Sequence, residues 1–288
     1  MIAVIGATGN TGRAVVKELR ALGEDPLCVV RNADKAREVL GANARIAVVE
    51  ITDGPALQKA LQGIKRVFVV TGHNPQAGDQ QVNILEAAKA AGVEFFAKVS
   101  GGRAIVGPDA ESVVGRGHHA VEEAIKRSGL AWAILRPGLF MQNTLAQAQS
   151  IKSDGKMVLP YAKDLPIAFI DVRDTGAVGA RILRDPSSHA GKTYEFTGET
   201  TTFEQFAKVF SDVLGKPVTY VAASLEQAEQ AMKARGMPDW LVAHMLAVAR
   251  AGAKGGFSNE NTQPIREIVG RPPLTTREFV EDHKAAFT

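Results

Sequence analysis

The sequence predicts an α/β fold: a doubly wound parallel sheet with a smaller α+β C-terminal lobe. Three observations predict it. Short apolar runs rich in β-branched residues alternate with helical stretches from residue 1 to about 136. The first run ends in three glycines spaced three apart, Gly6, Gly9 and Gly12, where a helical pattern begins. After Pro137-Gly138 the alternation loosens and the remaining chain reads as mostly helical.

The strand-like runs are Ile2–Ile5, Pro26–Val30, Arg45–Val49, Val67–Val70, Phe95–Val99 and Trp132–Leu135. Helical stretches such as Ala56–Leu61, Val82–Ala91 and Ala120–Ser128 lie between them. Right-handed crossovers then put helices on both faces and ligands outside the strand C-termini. Six loops should line that crevice: Gly6–Gly12, Arg31–Lys35, Glu50–Asp53, Thr71–Asn74, Ser100–Arg103 and Arg136–Asn143. Further on, Ala168–Val172 reads as a strand, with a helix at Asp174–Leu183 that Asp171 and Asp174 cap and compensate. Lys192–Thr197 and Val218–Val221 flank a helix at Phe203–Leu214. Leu225–Arg235, Pro238–Ala253, Asn261–Val269 and Thr276–Ala286 follow as helices, the last opened by a Thr275/Glu278 capping box. The expected division is a sheet domain at 1–155, rejoined by 166–190, and a lobe from 139–165 and 191–288 over the sheet's mouth.

A length of 288 residues permits one large domain or two intimately joined ones. The net charge of +3 is the small difference between 34 basic and 31 acidic residues, which argues for neither nucleic acid nor a membrane surface. The one cysteine, Cys28, lies in a strand-like run and reads as core filler. No apolar run approaches the roughly 20 residues needed to span a bilayer. With an N-terminus that opens directly on a core strand, the expectation is a cytoplasmic protein. The histidines look scattered, with no acid or cysteine at ligand spacing, so no metal site is expected.

Strand, glycine turn and helix together read as a nucleotide site. Gly6 permits a tight turn, Gly9 a close approach to pyrophosphate and Gly12 close helix–sheet packing, while the helix start presents free N–H groups. The adenine-side discriminator lies about 20 residues on, where an NAD-binding chain carries an acid. Here that strand ends in Arg31, with Asn32 beside it and Lys35 one turn later. A guanidinium can grip a 2′-phosphate with two hydrogen bonds, which predicts NADP(H) over NAD(H). Arg31 as an ordinary solvated charge is the alternative. Asp34, too late for the ribose, is expected to cap the next helix.

Four segments resemble a known family. They are Gly6-Ala7-Thr8-Gly9-Asn10-Thr11-Gly12, Val30-Arg31-Asn32, Ile134 through Asn143, and Tyr194-Glu195-Phe196-Thr197-Gly198 followed by Thr202-Phe203. In that order they resemble the NmrA-like atypical short-chain dehydrogenases/reductases, near the NAD(P)H-dependent quinone and triphenylmethane dye reductases. The resemblance implies a Rossmann sheet with a substrate-binding lobe. It implies a cofactor held by Gly6, Thr8, Gly9, Asn10, Thr11, Gly12, Arg31, Asn32 and Lys35. Glu50, Ile51 and Thr52 would then lie near adenine, and Thr71, Gly72 and His73 along the ribose and pyrophosphate. Ser100, Gly101, Gly102, Pro137, Gly138 and Phe140 would border the nicotinamide.

Ordinary members of the wider superfamily carry Tyr-x-x-x-Lys on the helix after the fifth strand. None of the three tyrosines here falls there; the two positions land on His118 and Glu122. Without a phenol to protonate an alkoxide, an isolated carbonyl is a poor substrate, whereas a quinone or dye cation spreads or neutralises charge. His118 is a candidate proton donor made more basic by Glu122 one turn away, or a polar helix-start residue with no part in catalysis. Glu122 also reads as part of an exposed salt-bridged face with Glu123, Lys126 and Arg127. A flat apolar substrate is expected against Phe140, Met141, Asn143, Phe169 and Trp240. The leading expectation is NADPH-dependent reduction of a quinone or other conjugated aromatic acceptor by a monomer or homodimer. The alternative is a non-catalytic NADP(H) sensor of the NmrA type.

Overall fold

In the computed structural model, which describes residues 1–288, the first half of the chain forms strand–helix pairs. They are β1 (Ile2–Ile5) and α1 (Asn10–Ala21), β2 (Leu27–Val30) and α2 (Ala33–Leu40), and β3 (Ile46–Val48) and α3 (Gly54–Ala60). Then come β4 (Arg66–Val69), α4 (Ala77–Ala90), β5 (Phe95–Val99), α5 (Val113–Arg127) and β6 (Ala131–Pro137). Beyond Gly138 lie β7 (Leu139–Phe140), a 3₁₀ turn at Met141–Gln147, α6 (Ala148–Asp154), β8 (Lys156–Leu159), β9 (Ile167–Ile170) and α7 (Val172–Arg184). They are followed by α8 (Pro186–His189), β10 (Lys192–Phe196), β11 (Thr200–Thr201), α9 (Phe203–Leu214) and β12 (Thr219–Ala222). The chain ends in α10 (Leu225–Ala234), α11 (Asp239–Ala253), α12 (Gln263–Val269), α13 (Thr276–Asp282) and α14 (Lys284–Phe287).

Seven parallel strands form the main sheet in the order β10-β6-β5-β4-β1-β2-β3. The order reverses between β1 and β4, which opens a crevice at their C-terminal ends. Alternation along the strands sorts side chains to two faces. Val4, Phe95, Ala97 and Val99 pack with α1 and α7, while Ile5, Val69 and Phe96 pack with α3, α4 and α5. Cys28 is buried in the first of these layers, and burial raises its thiol to about 11, as befits core filler.

The expected lobe boundary at 191 is corrected. Lys192–Phe196 is the seventh strand of the parallel sheet, paired in register with β6. Ile265 of α12 belongs to the same core layer as α1 and α7. A partly polar strand at a sheet edge looks from its sequence like an isolated strand, because one of its sides pairs with nothing. What remains of the lobe is built on a three-stranded sheet, β11-β9-β7, and a parallel pair, β12-β8. Its core is aromatic: the Phe169 and Phe203 ring centroids lie 5.2 Å apart, and the Phe206 and Phe210 centroids 5.3 Å. Met141 and Phe169 are wholly buried in that core. The expectation that they wall a substrate slot is therefore overturned; an apolar residue beside the crevice in sequence can point into the lobe behind it.

Helix ends follow the local chemistry. Thr275 and Glu278 form the expected capping box, and Asp171 caps α7 by accepting from the Arg173 N–H at 2.8 Å. Asp34 does not cap α2. Asn32 does, its Oδ1 accepting from the Lys35 N–H at 2.9 Å.

Candidate functional site

The β1–α1 turn is shaped by two glycines. Gly6 has φ +84°, and a Cβ there would fall 1.7 Å from the Val70 carbonyl oxygen. A Cβ on Gly12 would fall 2.1 Å from the Gly6 carbonyl oxygen. Both are required by the protein's own packing. Gly9 is different, since a Cβ there would meet nothing closer than 3.5 Å. Gly9 is also the N-cap of α1 and offers no side-chain acceptor. The amides of Asn10, Thr11 and Gly12 are thus left with no protein partner at the positive end of a 12-residue helix. Room over Gly9 and unanswered donors beneath it suit a phosphate. Thr11 itself is buried.

At the end of β2, Arg31 and Lys35 are exposed and neither forms an ion pair. By contrast, the neighbouring Arg37 is engaged by Asp34 at 3.7 Å. The pyrophosphate and the 2′-phosphate of NADP(H) fit these two groups of donors: the glycine turn would hold the first, and Arg31 and Lys35 the second. Asn32 serves the same edge indirectly, by fixing the turn that carries Lys35. Ile51, after β3, is half-buried, and its carbonyl accepts from the Asn83 side chain at 2.6 Å.

Thr71, Gly72, His73 and Asn74 line a recess with Gly117 and His118 of α5. The Thr71 hydroxyl accepts from Gln81 at 2.7 Å. Gly101 approaches the His118 ring, with Cδ2 at 3.3 Å from the position a Cβ would take. Gly102 lies by the Pro137 carbonyl, and Pro137 itself is buried. Gly138 is held by structure, since a Cβ there would come within 2.7 Å of the Ala168 carbonyl oxygen. Phe140 is half-buried, Asn143 exposed and Trp240 half-buried at the start of α11.

Ser100 and Glu122 meet, while His118 finds a different partner. Glu122 does not face His118. Its carboxylate accepts from Arg136 at 2.5 and 3.0 Å and from the Ser100 hydroxyl at 2.6 Å, and it is wholly buried. Burial works to raise this carboxyl, yet the Arg136 and Ser100 hydrogen bonds outweigh it and hold it below the usual carboxylate range. The exposed face belongs to Glu123, which pairs with Lys126 at 2.8 Å and Arg127 at 3.6 Å. Arg136 also reaches Glu195 at 2.9 Å, which ties the edge strand β10 to the cluster.

The partner of His118 is Lys98. Its Nζ lies 2.8 Å from His118 Nδ1, and its side chain is fully buried. Burial pulls the Lys98 ammonium down to about 7, against the opposing pull of the Glu122 carboxylate. Burial and the nearby Lys98 charge also push the His118 imidazole well below its usual value. The expected gain in basicity from Glu122 is thus reversed. Sequence reasoning passes over Lys98, although a lone cation inside the apolar run Phe95-Phe96-Ala97-Lys98-Val99 is itself a signal.

The scattered histidines also converge. His73 stands 6.1 Å from His118 and 5.0 Å from His244, centroid to centroid, with rings edge to face. His244 of α11 joins the Ser112 hydroxyl at 2.6 Å, and burial drops its imidazole to about 4. Crowding and the Lys98 charge lower His73 as well, although its outer edge is open to solvent.

The NmrA-like family model matches residues 1–269. This chain belongs to the NmrA-like family. It is 35% identical to the NAD(P)H azoreductase of Xenophilus azovorans over 100% of this chain and 99% of the relative. It is 32% identical to quinone oxidoreductase 2 of Escherichia coli K12, covering 97% of each. The crystal structure of the E. coli NADPH-dependent quinone oxidoreductase complexed with NADPH superposes with a TM-score of 0.86. That match covers 98% of this chain and 99% of the other at 30% identity.

Proposed function

We propose that this NmrA-like chain is an NADPH-dependent oxidoreductase that passes hydride to a quinone or another conjugated aromatic acceptor, such as an azo compound or a dye cation. The observation that carries the reading is the set of uncommitted phosphate donors around one crevice: the α1 amides over Gly9, and Arg31 with Lys35. The full-length relatives named as an NAD(P)H azoreductase and a quinone oxidoreductase support the choice of acceptor. When bound, the nicotinamide supplies the hydride.

The chain's own residues position and shield. The turn and Arg31 hold the two ends of the dinucleotide, and Ser100–Gly102 and Pro137–Phe140 border its reactive end. Phe140, Asn143 and Trp240 are the candidates for contact with the acceptor. Alignment of a flat ring over the nicotinamide supplies most of the rate. No helix is long and apolar enough to cross a membrane, and a cytoplasmic address is part of the same proposal.

Loss of NADPH absorbance with a panel of quinones, azo compounds and triarylmethane dyes tests the reading. Turnover is expected with at least one class. Tight NADP(H) binding without turnover on any of them would overturn it in favour of a redox sensor.

A further inference from the structure

The Lys98–His118 pair is not among the phosphate donors described above, and its geometry has a chemical direction. An ammonium at Lys98 Nζ, 2.8 Å from His118 Nδ1, donates to that nitrogen. The imidazole proton then sits on Nε2. The Cδ2 side of the ring, which carries Nε2, faces the Ser100–Gly102 loop, as the 3.3 Å approach to Gly101 shows. The ring also borders the recess lined by Thr71–Asn74. A buried donor therefore stands behind a ring whose other edge lies on the side of the Ser100–Gly102 loop.

We propose that His118 is the proton donor to the reduced acceptor and that Lys98 supplies a compensating proton at Nδ1 as the Nε2 proton leaves, so that the pair replaces the missing tyrosine and lysine. The step rests on the reductase reading above and balances. The acceptor gains a hydride and, on the developing oxyanion or nitrogen anion, the Nε2 proton of His118. The Nδ1 nitrogen takes a proton from the Lys98 ammonium, which is left as a neutral amine; the resting state returns when a solvent proton enters at Nε2 and Nδ1 gives its proton back to the buried Lys98. The products are the hydroquinone or hydrazine and the oxidised dinucleotide.

The surroundings fit this role. Lys98 faces Glu122 of α5 and Arg136 of β6, which are paired with each other and act on it in opposite directions. His118 faces Lys98, His73 from the β4–α4 loop and His244 from α11, and all of them disfavour an imidazolium. A neutral ring backed by an ammonium that titrates near neutrality can pass a proton without holding a charge.

Two kinds of acceptor separate this role from a structural one. A quinone needs the proton, whereas a cationic triarylmethane dye is neutralised by hydride alone. In His118→Gln the quinone-to-dye ratio of kcat should fall by about 100-fold or more, the usual size of a general-acid effect. In the native enzyme, kcat on quinone should fall as pH rises through about 7, where Lys98 loses its proton, while kcat on dye stays level. Loss of both activities in proportion, or an unchanged ratio, would overturn the relay.

An ¹⁵N-histidine spectrum gives a readout that does not require turnover. His118 should stay in the Nε2–H form in the native protein and mix its tautomers in Lys98→Met. An Nδ1–H ring in the native protein would refute the relay even if no acceptor is reduced. Absence of turnover alone would refute the reductase reading and leave the tautomer result to decide the pair.

Discussion

The two ends of the crevice use polarity in opposite ways. At the β1–α1 turn and the end of β2, donors are left over: backbone amides with no acceptor, and Arg31 and Lys35 with no acid. At the ends of β5 and β6 almost every polar group is committed. Ser100, Glu122, Arg136 and Glu195 form one chain of hydrogen bonds, and Lys98 closes on His118. Leftover donors mark where an anion binds, because solvent serves them until it arrives. Committed groups in a buried cluster set the position and charge of one another. The first end can thus select a ligand, while the second can tune a proton.

The contrast breaks most visibly at Glu122. Glu122→Gln removes the charge that answers Arg136 but keeps the side chain's shape. A buried pair broken on one side costs about 3–5 kcal/mol, so a large fall in the urea midpoint is expected. The carboxyl is held below its ordinary value, so its contribution is full above the unfolded pKa of about 4.3 and is lost as pH falls through the folded value. The native protein should lose stability on that acid limb, and Glu122→Gln should show a shallower one. Unchanged midpoints in both tests would mean that the cluster is committed in appearance only.

Arg31 tests the other end, with a smaller effect and a different readout. Nothing in the protein leans on this side chain, so Arg31→Glu should leave stability unaltered. A charged hydrogen-bond pair is worth about 1.5–3 kcal/mol, which predicts NADPH affinity lower by roughly 10- to 150-fold with NADH affinity much less affected. Equal weakening of both dinucleotides, measured by fluorescence titration, would show that Arg31 does not read the 2′-phosphate.

These two ends also differ in how well the sequence reveals them. The glycine turn is local: strand, three glycines and helix fall within 21 residues, so its geometry follows from spacing. The same holds for the six crossover strands, for α9 and for the Thr275 capping box. The second end is assembled from residues 98, 100, 118, 122, 136 and 195 on four elements, and no window of sequence contains it. Glu122 and Glu123 are neighbours with the same side chain, yet one is buried beneath Arg136 and the other exposed beside Lys126. Only the orientation of α5 on the sheet separates them. Met141 and Phe169 were illegible for the same reason, since apolar residues suit a slot and a core equally well.

The finest test lies at Asn32, where the two modes of polarity meet in one residue. Its side chain is committed to the Lys35 N–H, yet it stands beside the uncommitted Arg31. Asn32→Ala removes the cap and should cost about 1 kcal/mol, read as a small fall in melting temperature. Asn32→Asp keeps an acceptor at the helix start, where negative charge is welcome, so its stability should match or slightly exceed that of the native protein. The same carboxylate would face an incoming 2′-phosphate. NADPH affinity should therefore fall in Asn32→Asp while NADH affinity holds, which separates what α2 needs from what the cofactor needs. If Asn32→Asp weakens both dinucleotides alike, the end of β2 contributes only the shape of the crevice, and the leftover charge of Arg31 and Lys35 is not what selects the ligand.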